Sequence, residues 1–187
     1  MVFLMNKMTN LKDYIKCYEN IIDDQICDSI VKDSLTDLTQ FAKSEVGDGK
    51  DGGKYRNCYD KPMPSKYKDD IYKVVGNILK KYSQDFKYFY TGLTTEDTGY
   101  THLLYKGSEG GEYTDHIDHF DLHPRILSCS LILNDNYEGG NFSFFEGEYI
   151  VKKKKGSAVV FPSNFCFPHA VTPVSNGDRH SLITWVH

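Results

Sequence analysis

The spacing of apolar residues changes close to Asp97, and this change restricts the folds that the chain can adopt. Before it, apolar side chains recur at intervals of three to five residues, which is typical of one face of an amphipathic helix. After it, short apolar or β-branched segments alternate with turn residues, which is typical of strands. The pattern therefore predicts helices first and a β-structure second.

Two amphipathic helices are predicted in the N-terminal part. Asp23 or Asp24 can cap the first, whose apolar residues follow helical spacing over residues 26–41. The second is the strongest helical pattern in the chain and covers residues 71–82, with Ser65 as its predicted cap. Both are expected to be packing helices.

Short strands dominate the prediction for the C-terminal part. Many short strands at this spacing favour a sandwich or barrel. The predicted fold class is therefore α+β and mainly β, a jelly-roll-like core with the N-terminal helices packed against its outside. The predicted strands are residues 100–105, 125–133, 141–145, 149–151, 157–161, 170–174 and 179–186.

Length and charge limit the classes of function. A chain of 187 residues suits one domain, here divided into a helical support, 1–98, and a β-core, 99–187. A net charge of −4 gives no electrostatic reason to expect nucleic acid. Neither a signal peptide nor a membrane span is evident, and the five scattered cysteines indicate reduced thiols. We therefore expect a cytoplasmic protein without nucleic-acid or membrane partners.

Residues 47–60 are rich in glycine and charge and predict a mobile loop. The loop is either a plain connector or a lid over a site, because long loops in compact domains often cover sites.

A group of histidines and carboxylates indicates metal chemistry. Side chains at i and i+2 of a strand share a face, so His116 and Asp118 can direct an imidazole and a carboxylate to one point. His169 can supply a third ligand, and two His with one carboxylate form the facial triad of non-haem Fe(II) oxygenases. A second copy of the spacing, His119 and Asp121, competes with the first.

A carboxylate clamp is predicted downstream of the third ligand. Arg179 begins a predicted strand, and Ser181 two residues later shares its face. A guanidinium group can bind a carboxylate through two parallel hydrogen bonds. A metal triad with such a clamp implies a cosubstrate that chelates metal at one end and carries an anion at the other. 2-Oxoglutarate fits this description.

Further motifs surround these residues in a fixed order. They are Leu104-Tyr105-Lys106-Gly107, Tyr113-x-x-His116-x-Asp118, Arg125, Leu131 to Asp135, Tyr137-Glu-Gly-Gly140, Gly156 to Ser163, Pro168-His169, Gly177-x-Arg179-x-Ser181 and Trp185. Together they resemble the 2-oxoglutarate- and Fe(II)-dependent dioxygenase superfamily, and most of all its prolyl 4-hydroxylase-like branch. The resemblance covers about residues 99–187, with a weaker similarity in 14–44.

The resemblance implies a fold and a register for the metal ligands. The fold is a double-stranded β-helix (jelly roll) with helices packed on one side. The family motif places a tyrosine three residues before its first histidine, as Tyr113 precedes His116, and this selects His116 and Asp118 over the second copy. Fe(II) would then be bound by His116, Asp118 and His169.

The resemblance also implies the cosubstrates and their site. These are 2-oxoglutarate and O2, with ascorbate as reductant. Arg179 would bind the far carboxylate of 2-oxoglutarate, with help from Ser181 and the hydroxyl of Tyr105. Arg125 is implied as a substrate residue, although a solvent-exposed strand end or a salt bridge would also explain it.

The implied reaction is hydroxylation of a C–H bond, most of all in a peptidyl proline, with release of succinate and CO2. Many relatives of the animal collagen enzymes carry Lys where this chain has Arg179, which leaves other substrates open. The alternatives are the same iron chemistry on a free amino acid, a small molecule or another protein side chain. A non-catalytic metal-binding module and a zinc hydrolase with the same ligands are also open.

Overall fold

The computed structural model describes residues 10–46, 50–51, 53–89, 96–119 and 124–187. Within these ranges the α-helices are α1 (Asp24–Ser34) and α2 (Lys68–Asp85). Short 3-10 turns occupy Leu11–Tyr14, Leu38–Gln40, Ser65–Tyr67 and Gly107–Glu109. Neither of the described α-helices is long and apolar enough to cross a lipid bilayer.

The strands of the described residues are short and follow one another closely. In chain order they are β1 (Lys16–Tyr18), β2 (Ala42–Lys43), β3 (Glu45–Val46), β4 (Lys50–Asp51), β5 (Arg56–Asn57), β6 (Tyr59–Pro62), β7 (Thr101–Lys106), β8 (Glu112–His116), β9 (Leu127–Ile132), β10 (Glu138–Gly139), β11 (Phe142–Phe144), β12 (Tyr149–Val151), β13 (Ala158–Pro162), β14 (His169–Val171), β15 (Val174–Asn176) and β16 (Asp178–Val186).

Two antiparallel sheets form the β-core. The larger has the strand order β1-β13-β9-β16-β7-β6-β2, and the smaller has the order β12-β11-β14-β8-β5. Two two-stranded ribbons, β10-β15 and β3-β4, complete the pairing among the described residues. This jelly-roll-like core with N-terminal helices confirms the predicted fold class.

Strand alternation divides the core into two layers. In β13, Val160 points toward the helices, whereas Val159 and Phe161 point between the two sheets. The first layer also contains Ile71 and Ile78 of α2, which are fully buried against the larger sheet. Burial of each such aliphatic side chain contributes about 1.5–3 kcal/mol. A cavity lies between the two sheets, with Phe161 of the larger sheet and His169 of the smaller sheet among its lining residues.

The helix boundaries differ from those predicted. Asp23 caps α1 by accepting from the backbone N of Gln25, as expected, but α1 ends at Ser34 and does not continue to residue 41. The side chain of Asp37 accepts from the backbone N of Thr39 and starts a separate 3-10 turn. Ser65 does not cap α2, because it begins a 3-10 turn that leads into the helix.

The prediction that 47–60 is a loop was wrong at the residues of β4 and β5 and at the start of β6. β5 pairs with β8 in the smaller sheet, and β6 pairs with β7 in the larger. Partner strands distant in the sequence provide these hydrogen bonds, so local composition did not reveal them. Residues 47–49 and 52 lie outside the described residues. The division into a helical support, 1–98, and a β-core, 99–187, stays a prediction. Strands from the N-terminal part also belong to both sheets.

Candidate metal centre

The two candidate histidine ligands lie on neighbouring strands of the smaller sheet. His169 begins β14 and is paired in register with His116, the last residue of β8. Their ring centroids are 4.2 Å apart. Antiparallel pairing thus brings together two side chains that are far apart in the sequence.

Asp118 reaches the same point from outside the strand. β8 ends at His116, so strand alternation does not place Asp118. Its Oδ1 lies 3.6 Å from His116 Nε2, and its Oδ2 lies 3.5 Å from His169 Nε2. The Ser128 hydroxyl donates to Oδ2 at 2.7 Å, and Arg125 Nη1 donates to the backbone carbonyl of Asp118 at 3.2 Å. These two hydrogen bonds fix the side chain and the backbone of Asp118. The carboxylate therefore lies beside the histidines as predicted, although strand alternation is not what places it there.

Backbone carbonyls orient both imidazoles. His116 Nδ1 lies 2.9 Å from the carbonyl oxygen of Thr114, and His169 Nδ1 lies 3.1 Å from that of Phe167. Since a carbonyl only accepts, each Nδ1 carries the proton and each Nε2 keeps its lone pair. Both Nε2 atoms therefore face Asp118 as potential ligands.

Burial and charge set the protonation state of the cluster. Burial alone would raise the pKa of Asp118, but the neighbouring His169 and His116 and the hydrogen bond from Ser128 lower it below its usual range. Burial lowers the pKa of His169 to about 4. At neutral pH the cluster is thus a carboxylate beside a neutral imidazole, the forms that bind metal ions.

The donor set fits Fe(II). The ligand atoms of His116, Asp118 and His169 lie within 4.8 Å of one another. Two imidazoles and one carboxylate make the facial arrangement of non-haem Fe(II) oxygenases. Of the competing copy, His119 lines the cavity but does not join this group, and Asp121 lies outside the described residues.

Arg179 lies on the wall of the same cavity and is only 1% exposed. Arg179 in β16 is paired in register with Tyr105 in β7, and its guanidinium carbon is 4.9 Å from the centroid of the Tyr105 ring. Arg179 Nη1 donates to the Ser181 hydroxyl at 2.9 Å. The predicted clamp residues are therefore side by side.

The Arg179 guanidinium fits an anionic ligand. Its Nη2 is buried and has no hydrogen-bond partner among the described residues, and the same holds for the hydroxyl of Tyr137. A Cβ on Gly140 would lie 2.7 Å from Tyr137 Cε2 and 3.1 Å from Arg179 Cδ, so Gly140 keeps open the space that both side chains use. A buried donor without a partner costs about 1–3 kcal/mol, and a carboxylate would remove that cost. The far carboxylate of 2-oxoglutarate fits this need.

Tyr105 completes the set of predicted cosubstrate residues. It is fully buried, and burial together with the neighbouring Cys58 raises the pKa of its hydroxyl despite the opposing charges of Arg56 and Arg179. The hydroxyl is therefore protonated at neutral pH and can donate a hydrogen bond.

The cavity has a volume of about 290 Å³ and is lined by the candidate ligands, Arg179 and Tyr105. Arg125 also lines it, with its guanidinium carbon 3.6 Å from the centroid of a Trp185 ring. Arg125 precedes β9 by two residues and does not open the strand as predicted.

Three lining residues were not identified as functional from the sequence: Arg56, Tyr113 and Trp185. Trp185 packs against the core, and strand alternation from Arg179 along β16 also places it on the cavity face. Arg56 lies in the segment that the sequence predicted as a connector or a lid, so no individual residue of its strand was singled out.

Comparison with known families matches the β-core. Residues 100–187 match the family described as the 2OG-Fe(II) oxygenase superfamily. A PKHD-type hydroxylase of Synechococcus sp. (strain CC9605) is 33% identical over 91 residues, which are 45% of this chain and 40% of that protein. A PKHD-type hydroxylase of Alteromonas mediterranea is 43% identical over 91 residues, which are 42% and 39% of the two chains. The match thus spans about two fifths of the length of these relatives.

Solved structures share the fold over nearly the whole chain. A prolyl-4-hydroxylase of Pseudomonas putida superposes with a TM-score of 0.72 at 20% identity, covering 93% of this chain and 92% of that one. A viral collagen prolyl hydroxylase of Paramecium bursaria Chlorella virus-1, in complex with 2-oxoglutarate, gives a TM-score of 0.70 at 18% identity, covering 92% and 95%. At these identities the similarity establishes the fold.

Proposed function

We propose that the chain is an Fe(II)- and 2-oxoglutarate-dependent dioxygenase that hydroxylates a C–H bond, because residues 100–187 match the 2OG-Fe(II) oxygenase superfamily. One observation carries the proposal. The three ligand atoms of His116, Asp118 and His169 converge in the same cavity in which Arg179 presents a buried Nη2 without a partner among the described residues. A metal site alone would not need that guanidinium.

The proposed substrate is a peptidyl proline. The matched relatives are named PKHD-type hydroxylases, and the solved structures with this fold include prolyl hydroxylases. One of these, from Trichoplax adhaerens, is in complex with a peptide fragment of hypoxia inducible factor. The alternative substrates are a free amino acid, a small molecule or another protein side chain. An assay with and without a proline-rich peptide distinguishes these alternatives from a peptidyl proline.

The proposed roles follow from the geometry of the site. His116 Nε2, His169 Nε2 and an Asp118 oxygen would hold Fe(II) on one face, and Ser128 fixes the carboxylate through its hydrogen bond. Bound Fe(II) with 2-oxoglutarate supplies the oxidising chemistry that consumes O2 and releases succinate and CO2. Ascorbate is the proposed reductant that keeps the iron divalent.

The other lining residues orient the cosubstrate and exclude water. Arg179 Nη2 would bind the far carboxylate, Ser181 keeps Nη1 in place, and the protonated hydroxyl of Tyr105 is available as a second donor. Phe161 packs with its ring centroid 4.5 Å from that of His169 and forms part of an apolar wall. An apolar wall lowers the local dielectric and so strengthens the interaction of Arg179 with an anion.

Succinate release tests the proposal. The protein is loaded anaerobically with Fe(II), 2-oxoglutarate and ascorbate, O2 is admitted, and succinate is measured with and without a proline-rich peptide. Peptide-stimulated succinate that is abolished in Asp118→Ala, with the fold retained, is the expected result. Slow succinate that the peptide does not change would reject the proline substrate and keep the dioxygenase. No succinate from a metal-loaded protein would reject the dioxygenase.

A further inference from the structure

Three arginines and two carboxylates line the cavity, and most of them already have a partner or a proposed one. The carboxylates are Asp118, which belongs to the metal cluster, and Glu45, whose side chain is exposed. Arg179 is proposed to bind the cosubstrate. Arg125 donates to the backbone carbonyl of Asp118 and lies over the Trp185 ring. Arg56 is the remaining cation.

Arg56 is held rigidly in the cavity wall by uncharged groups. Its Nε donates to Cys58 Sγ at 3.2 Å, and its Nη1 donates to the backbone carbonyl of Glu45 at 3.0 Å. Its guanidinium carbon lies 4.9 Å from the centroid of the Tyr113 ring, the residue opposite it in β8. Among the described residues, no carboxylate lies within ion-pair distance of Arg56.

A partly buried cation without a counter-ion is unfavourable. Burial would lower the pKa of Arg56, but the neighbouring Tyr105, Cys58 and Tyr113 raise it, so the group remains charged. Hydrogen bonds to uncharged groups compensate such a charge in part, and an opposite charge compensates it more fully. These two hydrogen bonds use Nε and one proton of Nη1, so Arg56, which lines the cavity, keeps further N–H donors for a ligand there.

The guanidinium is also close to the proposed reaction centre. Tyr113 stacks on His116 with the ring centroids 3.5 Å apart and an interplanar angle of 14°. Arg56 is therefore separated from a metal ligand only by the ring of Tyr113. A group bound by Arg56 in the cavity would therefore share that cavity with the candidate metal ligands.

We propose that Arg56 binds a carboxylate of the substrate, so that the enzyme hydroxylates a molecule carrying a carboxylate close to the reacting carbon. This rests on the proposed function and specifies its substrate class. The carboxylate has two possible sources, the α-carboxyl group of a C-terminal proline residue or an acidic side chain beside a peptidyl proline. Both present the same planar anion to the guanidinium.

The test compares ligands that differ only in the carboxylate. The protein is loaded with Zn(II) and 2-oxoglutarate, so that no turnover occurs. It is titrated with N-acetyl-L-proline against N-acetyl-L-prolinamide, and with N-acetyl-Gly-Pro-Glu amide against N-acetyl-Gly-Pro-Gln amide. Trp185 is the only tryptophan of the chain and lines the cavity, so its fluorescence reports binding.

In the wild type at least one acid should bind about tenfold more tightly than its neutral partner, because a charged hydrogen bond contributes that much. The Arg56→Gln variant should reduce this ratio to below about twofold. Lys80→Gln removes one exposed cation from α2, away from the cavity, and should keep the ratio. A preference in the first pair indicates a carboxyl group on the proline itself, and in the second an acidic neighbour.

Two results would overturn the proposal. One is acid and neutral ligands that bind within about twofold of each other in the wild type, or that all fail to bind. The other is an acid preference that survives in Arg56→Gln. The wild-type comparison does not depend on how the variant folds. Failure of the proposed function is distinguishable, because it appears as absent succinate release from the Fe(II)-loaded protein and not as a change in these titrations.

Discussion

His169 and His116 face each other across the antiparallel pair β14 and β8, with their ring centroids 4.2 Å apart. Both direct Nε2 toward the carboxylate of Asp118, because each Nδ1 donates to a backbone carbonyl. The metal-binding geometry is therefore built into the strand register and the backbone before any metal binds.

The two overlapping His-x-Asp copies give different predictions for metal affinity. His116→Ala should weaken Mn(II) binding by more than about 100-fold. Removing a residue that only hydrogen-bonds a ligand weakens metal binding about 10- to 100-fold, and removing the ligand itself should cost more. His119→Ala should leave affinity within about threefold, since His119 lies outside the ligand group. Titration calorimetry with Mn(II) measures both. Equal losses in the two variants would contradict the assigned register.

Ser128 should control metal affinity without touching the metal. Its hydroxyl donates to Asp118 Oδ2 at 2.7 Å, and it also lies 2.8 Å from the Ser163 hydroxyl. Ser128→Ala removes the group that orients the carboxylate and should weaken Mn(II) binding about 10- to 100-fold. Ser143 is also buried but lies in β11 of the smaller sheet. Ser143→Ala is therefore the matched control and should leave Mn(II) affinity unchanged. Unchanged affinity in Ser128→Ala would show that Asp118 is oriented by other groups.

Gly140 should be required for cosubstrate binding. A Cβ there would lie 3.1 Å from Arg179 Cδ and 2.9 Å from Val174 Cγ2, at a φ of +61°. Gly140→Ala should displace Arg179 and weaken binding of 2-oxoglutarate about tenfold or more. Gly110→Ala has the same φ of +61° but meets nothing within 4 Å, so it shares the backbone strain of about 1–2 kcal/mol without the displacement. The same 2-oxoglutarate dissociation constant in both variants would contradict this role.

Acid should destabilise the fold through a buried histidine pair. His102 Nε2 lies 3.0 Å from His180 Nδ1. Burial, with the charge of His180 and Lys61, lowers the pKa of His102 to about 3, and burial lowers that of His180 to about 4. The usual histidine pKa is about 6.5, so below that pH the unfolded chain takes up protons that the folded chain does not. The stability contributed by each neutral histidine is therefore complete above about pH 6.5 and is lost as the pH falls toward the folded value.

Urea unfolding at a series of pH values measures this loss. Each histidine should contribute a slope of about 1.4 kcal/mol per pH unit between about pH 6 and pH 4, with less stability at lower pH. His102→Gln should reduce the slope by about this amount, whatever it does to stability at neutral pH. Thr184→Val, at a buried polar residue of β16 that does not titrate, is the control and should leave the slope unchanged. A slope equal to that of the wild type in His102→Gln would exclude His102 as its source.

Local patterns were sufficient for the elements and for the chemistry of the site. Helical spacing identified α2, and short apolar segments identified the strand that carries Arg179 and, one residue too late, the strand that begins at His169, because both signals depend only on neighbouring residues. The resemblance selected His116 and Asp118 from two overlapping copies. The first helix was predicted too long, because the capping side chain of Asp37 overrides the apolar spacing that continues past it.

The sequence by itself determined which residue types could bind a metal and a carboxylate, since those depend on side-chain chemistry and short spacing. Only the tertiary structure decided where they meet. Asp118 lies beyond the end of β8 and is held by Ser128, and Arg56 enters the cavity on a strand whose partner is Tyr113. Both placements depend on pairing between segments far apart in the chain. Such pairing is set by the packing of the whole core, which no local period encodes.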